Sequence, residues 1–412
     1  MNRRERVNDY IKNHWKNTVR TETSKDDEIP LPYPKTVPCE NQRFTYFFYW
    51  DTYFANLGLL YDMPKQALNN LRNMKCLVDR FGFIPNANLH CMLNRSQPPL
   101  FCSAVYDYYR MYPSADTVCE FFGSMRREYE FWMKSRNTDC GLNQYSSSAT
   151  KEEIERFVDE VALRGILKKN DCDAYEKSKN LFAEAESGWD FSPRFDGRAL
   201  DFVQVDLNSI LYRNEIIISE FAKILNDSEL SESFARKADR RKNAMYRYMK
   251  DCDGILRDYD FINKKQSGII SVASLLPFWA GIIDDREVCE KILSVLECEK
   301  GIAACEKSEG SMFQWDYPNM WPPLVYFSVK ALQNSASDDS ARRIADKYMN
   351  TVAENFDAGG CLYEKYSSVT GKYSNQEYES PKMLGWTAGV FRNLYECFYH
   401  GYYLRRNIWN FY

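Results

Sequence analysis

Apolar residues recur at helical spacing along most of this chain, and this regularity limits the folds that it can adopt. Residues 65–80 place their apolar side chains on one stripe of a helix, and residues 118–133 do the same. The same pattern covers residues 200–225, 232–249, 272–296, 324–332, 340–356 and 385–404. Strand patterns are sparse, and residues 254–261 and 360–366 are typical of hairpins on loops. The sequence therefore predicts an all-α protein.

Four short segments combine tryptophan or tyrosine with a carboxylate, an amide or an arginine. They are RFTYFFYWDTYF (43–54), IPNANLHCMLNRSQPP (84–99), ESGWDFSPRF (186–195) and QWDYPNMWPP (314–323). Aromatic faces cover the C–H surface of a pyranose, while charged and amide groups bind its hydroxyls in a fixed geometry. The pattern indicates a carbohydrate-active enzyme.

These segments lie at helix ends or between helices, although long stretches of chain separate them. A closed ring of helical hairpins brings such distant ends to one mouth, which predicts an (α/α)6 barrel, a toroid of six hairpins with short β-hairpins on its loops. A helical-repeat solenoid is the alternative, but no fixed period or repeated motif supports it. We expect one catalytic domain over residues 1–412, with residues 1–37 forming an N-terminal helix and an extended arm.

The charge pattern limits the partners of the chain. The formal net charge of -4, with both signs mixed, leaves no basic footprint for nucleic acid. The N-terminus is charged and lacks the apolar core of a secretory signal, and no apolar run is long enough for a membrane helix. We therefore expect a small carbohydrate as partner, with no nucleic acid and no membrane, and a monomer or weak homodimer.

The cysteine and histidine content bears on the compartment and on metals. Thirteen cysteines, an odd number without a pairing pattern, are typical of reduced thiols and predict a cytoplasmic protein. Only three histidines occur, and the motifs CxxC and HExxH are absent. We therefore expect no metal site.

Hydrolysis of a glycosidic bond needs two carboxyl groups, one to protonate the leaving oxygen and one to activate water or attack the sugar. Asp190 lies between Trp189 and Phe191. Aromatic neighbours raise the pKa of a carboxyl by excluding water, as a general acid near neutral pH requires. Asp190 is therefore the candidate acid. The alternative is that Asp190 caps a helix or pairs with Arg194.

The same segments resemble the trehalase family, family 37 of the glycoside hydrolases. They match, in order, the family patterns PGGRFxExYxWDxYF, GxIPNGxRxYYxxRSQPP, SGWDFSSRW and QWDxPNGWAP, and weaker similarities are EYEFWM (128–133), VDLNSILY (205–212), LYEKY (362–366) and GWTAGV (385–390). The resemblance implies an inverting hydrolase on an (α/α)6 barrel that acts without a cofactor. Its substrate would be trehalose or a related small α-glucoside.

The resemblance also implies the roles of individual carboxylates. Asp190 matches the general acid of the family. Counting back nine residues from Trp386 gives Glu377 as the general base, and Glu379 is the second choice because the family's glycine-rich run is replaced by GKYSNQ. An inverting pair requires roughly 6.5 to 9.5 Å between the two carboxyl groups.

Further residues match positions that hold the sugar in the family. Asp51, for example, can accept hydrogen bonds from two adjacent hydroxyls. The alternative for any single tryptophan or tyrosine among them is core packing. The full set comprises Arg43, Phe44, Tyr49, Trp50, Asp51, Asn86, Arg95, Gln97, Gly188, Trp189, Gln314, Trp315, Asp316, Asn319, Trp321 and Trp386.

The chain also departs from the family pattern. Leu89 and Met320 replace an arginine and a glycine, and the arginine expected after Tyr145 is missing, with Lys151 as the nearest cation. Because these changes concern closure over the sugar and the leaving group, we expect recognition of the second sugar to differ. The alternatives are an α-glucosidase or α-mannosidase like those of family 63, a phosphorylase, and a non-catalytic sugar-binding protein.

Overall fold

The computed structural model describes residues 2–22, 27–40, 44–307, 313–375, 379–382 and 384–401. Most of them are helical. The helices are α1 (Arg3–His14), α2 (Tyr49–Asp62), α3 (Pro64–Phe81), α4 (Phe101–Met111), α5 (Ala115–Ser135), α6 (Lys151–Leu163), α7 (Ala174–Glu184), α8 (Val205–Ile224), α9 (Ser228–Tyr248), α10 (Leu276–Ala280), α11 (Arg286–Leu296), α12 (Pro322–Asn334), α13 (Asp338–Gly359) and α14 (Gly385–Tyr399). Within the described ranges, no helix is long and apolar enough to cross a membrane.

Alternate helices close into a ring. The inner helices α2, α4, α8, α10, α12 and α14 contact one another in that order, and α14 returns to contact α2. The outer helices α3, α5, α9, α11 and α13 pack behind them, and α1 packs on α13 and α14 to complete the outer layer. The predicted (α/α)6 toroid is therefore confirmed.

The ring closes where two glycines let helix backbones touch. A Cβ at Gly58 of α2 would lie 3.0 Å from the Cα of Gly389 on α14, and one at Gly389 would overlap the carbonyl oxygen of Phe54. Interiors tolerate no such overlap, so both positions need the absence of a side chain. We refer to this α2–α14 contact as the seam.

Short antiparallel strands join the loops on the ring. Strands β1 (Val19–Arg20) and β2 (Lys35–Thr36) form one pair, and β3 (Phe202–Val203), β4 (Tyr259–Asp260) and β5 (Lys265–Gln266) form a small sheet in that order. Strand β6 (Asn319–Met320) pairs with β7 (Tyr366–Ser367), with Asn319 opposite Ser367. This last pair brings the segment 314–323 beside the segment 362–366.

One predicted helix is wrong. The stretch 272–296 is broken into a short 3-10 turn, α10 and α11. Pro277 stands in the first turn of α10, Gly281 ends it with a φ of 80°, and Asp285 caps α11 by accepting from the amides of Glu287 and Val288. Proline and a left-handed glycine stop a helix even where the apolar spacing continues.

A hairpin of α6 and α7 lies outside the ring and was not predicted from the periodicity. Thr150 and Glu153 form a capping box at the start of α6. The hairpin packs on the segment that follows Asp190, and its apolar cluster consists of Phe157, Val161, Leu181, Phe182, Ala185 and Phe191. The capping box and the spacing of Ile154, Phe157 and Val161 were the sequence signals for α6.

Candidate active site

Gly188 brings the candidate acid to the start of an inner helix. Its backbone is left-handed, with a φ of 76°, and a Cβ there would lie 3.1 Å from the ring of Trp50. Glycine adopts this conformation without steric cost. The loop therefore rests directly on α2, and Asp190 lies close to Asp51 in the first turn of that helix.

Asp51 marks the centre of the site. Burial raises the pKa of Asp51 to about 8, and the carboxylates of Glu364 and Asp190 act in the same direction. Like charges raise a carboxyl pKa only over short distances. The carboxyl groups of Asp51, Asp190 and Glu364, from three separate segments, therefore lie near one another.

Asp190 is half-buried at this position. Burial raises the pKa of Asp190 above its usual value, while the guanidinium groups of Arg164 and Arg95 oppose the rise. Arg194 does not pair with it, because the Arg194 Nη2 atom bonds Asp206 at 2.7 Å and Asp258 at 2.9 Å. A carboxyl with a raised pKa can hold the proton that a general acid delivers.

Glu364 was missed as a site residue by the sequence analysis. It is buried, and the first turn of α14 fixes its segment: Trp386 Nε1 donates to the Glu364 carbonyl oxygen at 3.0 Å, and Thr387 Oγ1 donates to that of Tyr363 at 2.6 Å. The sequence feature that could have indicated Glu364 was its place in the LYEKY segment, which resembles the family. Glu377 lies outside the described residues, and Glu379 is exposed.

Gln314 connects the acid loop to the Glu364 segment. Its Nε2 atom donates to the Asp190 carbonyl oxygen at 2.9 Å, and its Oε1 atom accepts from Lys365 Nζ at 2.7 Å. Lys365 Nζ also lies 3.5 Å from Glu364 Oε2. The carbonyl oxygen of Gln314 accepts from Asn319 and Trp321 at 2.8 and 3.0 Å.

The predicted tryptophans pack on one another. Trp315 stacks on Trp321 with ring centres 3.8 Å apart and on Trp189 with centres 5.6 Å apart. Trp386 meets Trp321 edge to face at 5.8 Å. All four are buried. The cluster forms a rigid aromatic wall behind the carboxylates, in which core packing accounts for much of each ring's surface.

Arg95 approaches the same space from the loop 84–99. Its Nη1 atom bonds Asn94 Oδ1 at 3.0 Å, and its guanidinium lies 4.7 Å from the ring centre of Phe182. Burial lowers the pKa of Arg95, and the carboxylate of Asp190 opposes this. The buried Nε atom has no hydrogen-bond partner among the described residues, so it is available to a ligand.

Other predicted residues support the site. Gln97 Oε1 accepts from the Trp50 amide at 2.8 Å, and Asn86 bonds Tyr49 and Arg95 through its backbone. The Tyr49 hydroxyl is fully buried, where it donates to Glu128 and accepts from the Phe101 amide. These groups hold α2 and the loop 84–99 together. Phe44 is half-buried. Asp316 is buried, and its carboxylate accepts a hydrogen bond from within its own loop. Arg43 lies outside the described residues.

Lys151 and Met320 belong to the departures from the family pattern that the sequence shows. Lys151 is exposed on α6, 3.7 Å from Glu155, and does not replace the missing arginine. Met320 is buried on β6, where its sulfur occupies the space beside Gly301. Met320 therefore fills the core, and the expectation that it alters a sugar contact has no support in its position.

The chain matches known proteins over most of its length. A family model described as Trehalase matches residues 2–398. The trehalase of Apis mellifera is 29% identical over 92% of this chain, and the periplasmic trehalase of Pseudomonas aeruginosa is 30% identical over 88%. The chain spans 65% and 70% of the length of these two relatives.

Solved structures share the fold. The neutral trehalase of Saccharomyces cerevisiae superimposes with a TM-score of 0.74 at 24% identity, over 95% of this chain and 79% of that one. The family 63 mannosylglycerate hydrolase of Thermus thermophilus gives 0.67 at 14% identity, over 94% and 99% of the two chains.

The closed ring of alternating inner and outer helices defines a class, the (α/α)6 barrels. Within that class, the chain belongs to the trehalase family. Several relatives are named periplasmic trehalases, so the cytoplasmic location expected from the cysteines gains no support from them.

Proposed function

We propose that this protein hydrolyses trehalose or a related small α-glucoside with inversion at the anomeric carbon. The observation that carries the proposal is the proximity of Asp51, Asp190 and Glu364: Gln314 joins the segments of Asp190 and Glu364, and Gly188 rests on Trp50 beside Asp51. Membership of the trehalase family and the names of the relatives support the substrate.

In this proposal Asp190 is the general acid. Burial keeps its proton on the carboxyl group at a pH where an exposed aspartate has lost it. Asp51 accepts hydrogen bonds from the hydroxyls of the first glucose. The wall of tryptophans limits the access of water to the acid, while the nucleophilic water is held at the base on the opposite face of the sugar.

We assign the general base to Glu364. It is buried, it lies near enough to Asp51 to affect its pKa, and α14 fixes its backbone. The resemblance had placed the base at Glu377, whose position is not described, with the exposed Glu379 as second choice. A base must be held rigidly against the water that it activates, and the buried, anchored Glu364 meets this requirement. Glu377 remains the base that the resemblance implies, and mutation of both residues decides between them.

The first experiment measures turnover and stereochemistry together. We expect trehalose hydrolysis to release one glucose as the β anomer, observed by proton NMR before mutarotation. Asp190→Asn should lower kcat by at least about 1000-fold and leave substrate binding measurable by calorimetry. Release of only the α anomer would refute inversion, and a fully active Asp190→Asn would refute the acid.

The second experiment decides between the two bases. We expect Glu364→Gln to lower kcat by about 1000-fold or more on trehalose. Glu377→Gln and Glu379→Gln are the matched variants, each of which removes one charge from the same region. If Glu377→Gln loses turnover while Glu364→Gln keeps a normal rate, Glu377 is the general base and the assignment to Glu364 is wrong.

A substrate panel separates the remaining alternatives. Hydrolysis of α-mannosides in preference to α-glucosides would support a relative of the family 63 enzymes, and dependence of product formation on phosphate would support a phosphorylase. Binding of a glucoside without turnover over the whole panel would support a sugar-binding protein. Each of these outcomes would refute the proposed reaction.

A further inference from the structure

Asn94 lies between Arg95 and the start of α6. It is buried, and its side-chain amide has partners on both sides. The Nδ2 atom donates to Glu153 Oε1 at 2.9 Å and to the Cys91 carbonyl oxygen at 3.2 Å, and the Oδ1 atom accepts from Arg95 Nη1 at 3.0 Å. The Ser148 amide also donates to the Asn94 carbonyl oxygen at 2.7 Å. Asn94 therefore joins a predicted sugar-binding residue to a helix outside the ring.

These partners fix which way the Asn94 amide faces. A carboxylate and a carbonyl oxygen can only accept, so the atom that faces Glu153 and Cys91 must be the donating nitrogen. A guanidinium can only donate, so the atom that faces Arg95 must be the oxygen. With the amide turned over, oxygen would face oxygen and donor would face donor. The Arg95 guanidinium therefore has an acceptor that is held in one orientation.

Glu153 is itself fixed by the helix to which it belongs. Its Oε2 atom accepts from the Thr150 amide at 2.7 Å, and Thr150 Oγ1 accepts from the Glu153 amide at 3.2 Å. This reciprocal pair is the capping box of α6. The two carboxylate oxygens thus have different partners, because one satisfies the start of the helix and the other satisfies Asn94.

The backbone of Arg95 is held on both sides by the proposed active site. The Arg95 carbonyl oxygen accepts from the Asn86 amide at 3.0 Å. The Asn86 carbonyl oxygen accepts at 3.1 Å from the amide of Tyr49, the first residue of α2. The next amide in the chain, that of Ser96, donates to Glu186 Oε1 at 2.9 Å, in the segment that carries the proposed acid. Hydrogen bonds therefore place this loop between α2 and the acid segment.

The guanidinium of Arg95 lies beside the same acid segment. Its central carbon is 4.7 Å from the ring centre of Phe182. The Phe182 ring meets Phe157 edge to face at 4.7 Å, and Phe157 meets Phe191, the residue after Asp190, at 6.3 Å. The buried Nε atom of Arg95 has no hydrogen-bond partner among the described residues. A buried donor without a partner costs free energy that a bound ligand recovers.

We propose that Asn94 and Glu153 are positioning residues that hold the Arg95 guanidinium in the orientation in which it binds the sugar. The contact with Phe182 and the hydrogen bond to Asn94 fix the group at two points, which pre-organises its remaining donors for a hydroxyl of the substrate. The inference rests on the proposed function and deepens it, because it gives α6, a helix outside the ring, a part in substrate binding.

The first experiment is a double-mutant cycle between Asn94 and Arg95. We expect Asn94→Leu to lower kcat/KM on trehalose by about 10- to 100-fold, because a misplaced guanidinium no longer meets the sugar. Arg95→Ala should also lower kcat/KM, and in its background Asn94→Leu should have no further effect. Equal losses in both backgrounds would show that Asn94 supports only the fold. An unchanged kcat/KM in Arg95→Ala would likewise overturn the inference.

Two variants of the capping box test the part of Glu153. Glu153→Ala and Thr150→Ala both weaken the start of α6, which costs about 1 kcal/mol in the free energy of unfolding, but only Glu153→Ala releases Asn94. We expect Glu153→Ala to lower kcat/KM on trehalose by about tenfold, the loss of one hydrogen bond to a charged group, while Thr150→Ala keeps the wild-type value. Equal values in the two variants would refute the role of Glu153. Since Glu153 is half-buried, this pair also serves if Asn94→Leu fails to fold.

The outcomes separate this inference from the function on which it rests. A wild-type protein that hydrolyses no α-glucoside would refute the proposed function. Crystal structures of the wild type and of Asn94→Leu, or of Glu153→Ala, would then decide the inference. The Arg95 guanidinium should move by more than about 1 Å in the variant, and a guanidinium that keeps its wild-type position would overturn the inference.

Discussion

The side-chain amide of Gln314 donates to the carbonyl oxygen of Asp190 at 2.9 Å. The oxygen of the same amide accepts from Lys365, which follows Glu364 in the chain. One buried amide therefore links the loop of the proposed acid to the segment of the proposed base. The distance between the two carboxyl groups depends on this link.

Replacing Gln314 by leucine should affect catalysis more than stability. Gln314→Leu removes the group that donates to the Asp190 carbonyl oxygen and the group that accepts from buried Lys365. The loss of both hydrogen bonds costs about 2 to 3 kcal/mol in the free energy of unfolding. Because the two segments lose their connection, we expect kcat/KM to fall by about 100-fold. Gln333→Leu, at a half-buried position of α12, is the control and should retain its kcat/KM. A Gln314→Leu variant with wild-type kcat/KM would show that the link is dispensable.

Alanine variants of two glycines distinguish the cost of a left-handed backbone from the cost of a close steric contact. Gly188→Ala and Gly82→Ala both place alanine in a left-handed conformation, but only the first brings a Cβ to 3.1 Å from a neighbour, the Trp50 ring. We expect Gly82→Ala to cost about 1 kcal/mol in the free energy of unfolding and to keep activity. Gly188→Ala should cost about 1 to 3 kcal/mol more and lower kcat/KM at least about tenfold. Urea unfolding and initial rates measure both, and equal effects would contradict a role for the Trp50 contact.

Asp51 should make stability depend on pH. Its pKa of about 8 in the folded protein lies above the value of about 3.9 in an unfolded chain. The folded state therefore binds more protons between these values, and the free energy of unfolding falls as the pH rises from about 4 to 8. Asp51→Asn should make this decline shallower and raise stability at pH 8.5 by about 2 kcal/mol, while it lowers activity.

The measurement for Asp51 is urea unfolding at several pH values. Burial also raises the pKa of Glu128 and of Glu184 to about 8, so part of the decline should remain in the variant. Asp139→Asn, at an exposed position, is the control. Parallel pH curves for Asp51→Asn and the wild type would show that Asp51 is ionised in the folded protein near neutral pH.

Glu186 should be one of the most sensitive positions for folding. Its two carboxylate oxygens accept from the amides of Ser96 and Ser146 and from two nitrogens of Arg136, at 2.7 to 2.9 Å. Glu186→Gln leaves the Arg136 charge buried without its counterion, which costs about 3 to 5 kcal/mol. Glu130→Gln, whose partner Lys134 is exposed, should change stability by less than about 0.5 kcal/mol. A small effect at Glu186 would mean that water replaces the lost pair.

The sequence was sufficient for the ring, and it also supplied the proposed acid, Asp190. Amphipathic periodicity depends on nearest-neighbour geometry within a helix, so most of the outer helices could be recognised. The stretch 272–296 was misread because its apolar spacing continues across Pro277 and Gly281. The strand pair β6–β7 could not be derived, since its register depends on chain segments that meet only after folding.

The proposed base and the approach of the α6–α7 hairpin to Asp190 depend on contacts that sequence spacing does not encode. Glu364 is distinguished from other carboxylates by two hydrogen bonds from α14 to its segment. Arg164 belongs to a separate hairpin that precedes Asp190 in the chain, yet its charge acts on Asp190 because the hairpin folds back on Phe191. Distances along the chain gave no indication of either approach.

The seam has a consequence for biosynthesis. Because most of the described chain lies between α2 and its neighbour α14, the inner ring can close only after that stretch has been synthesised. Until then the face of α2 that packs on α14 remains uncovered. We therefore expect the seam to form late in folding, and a side chain at Gly58 or Gly389 to block that step.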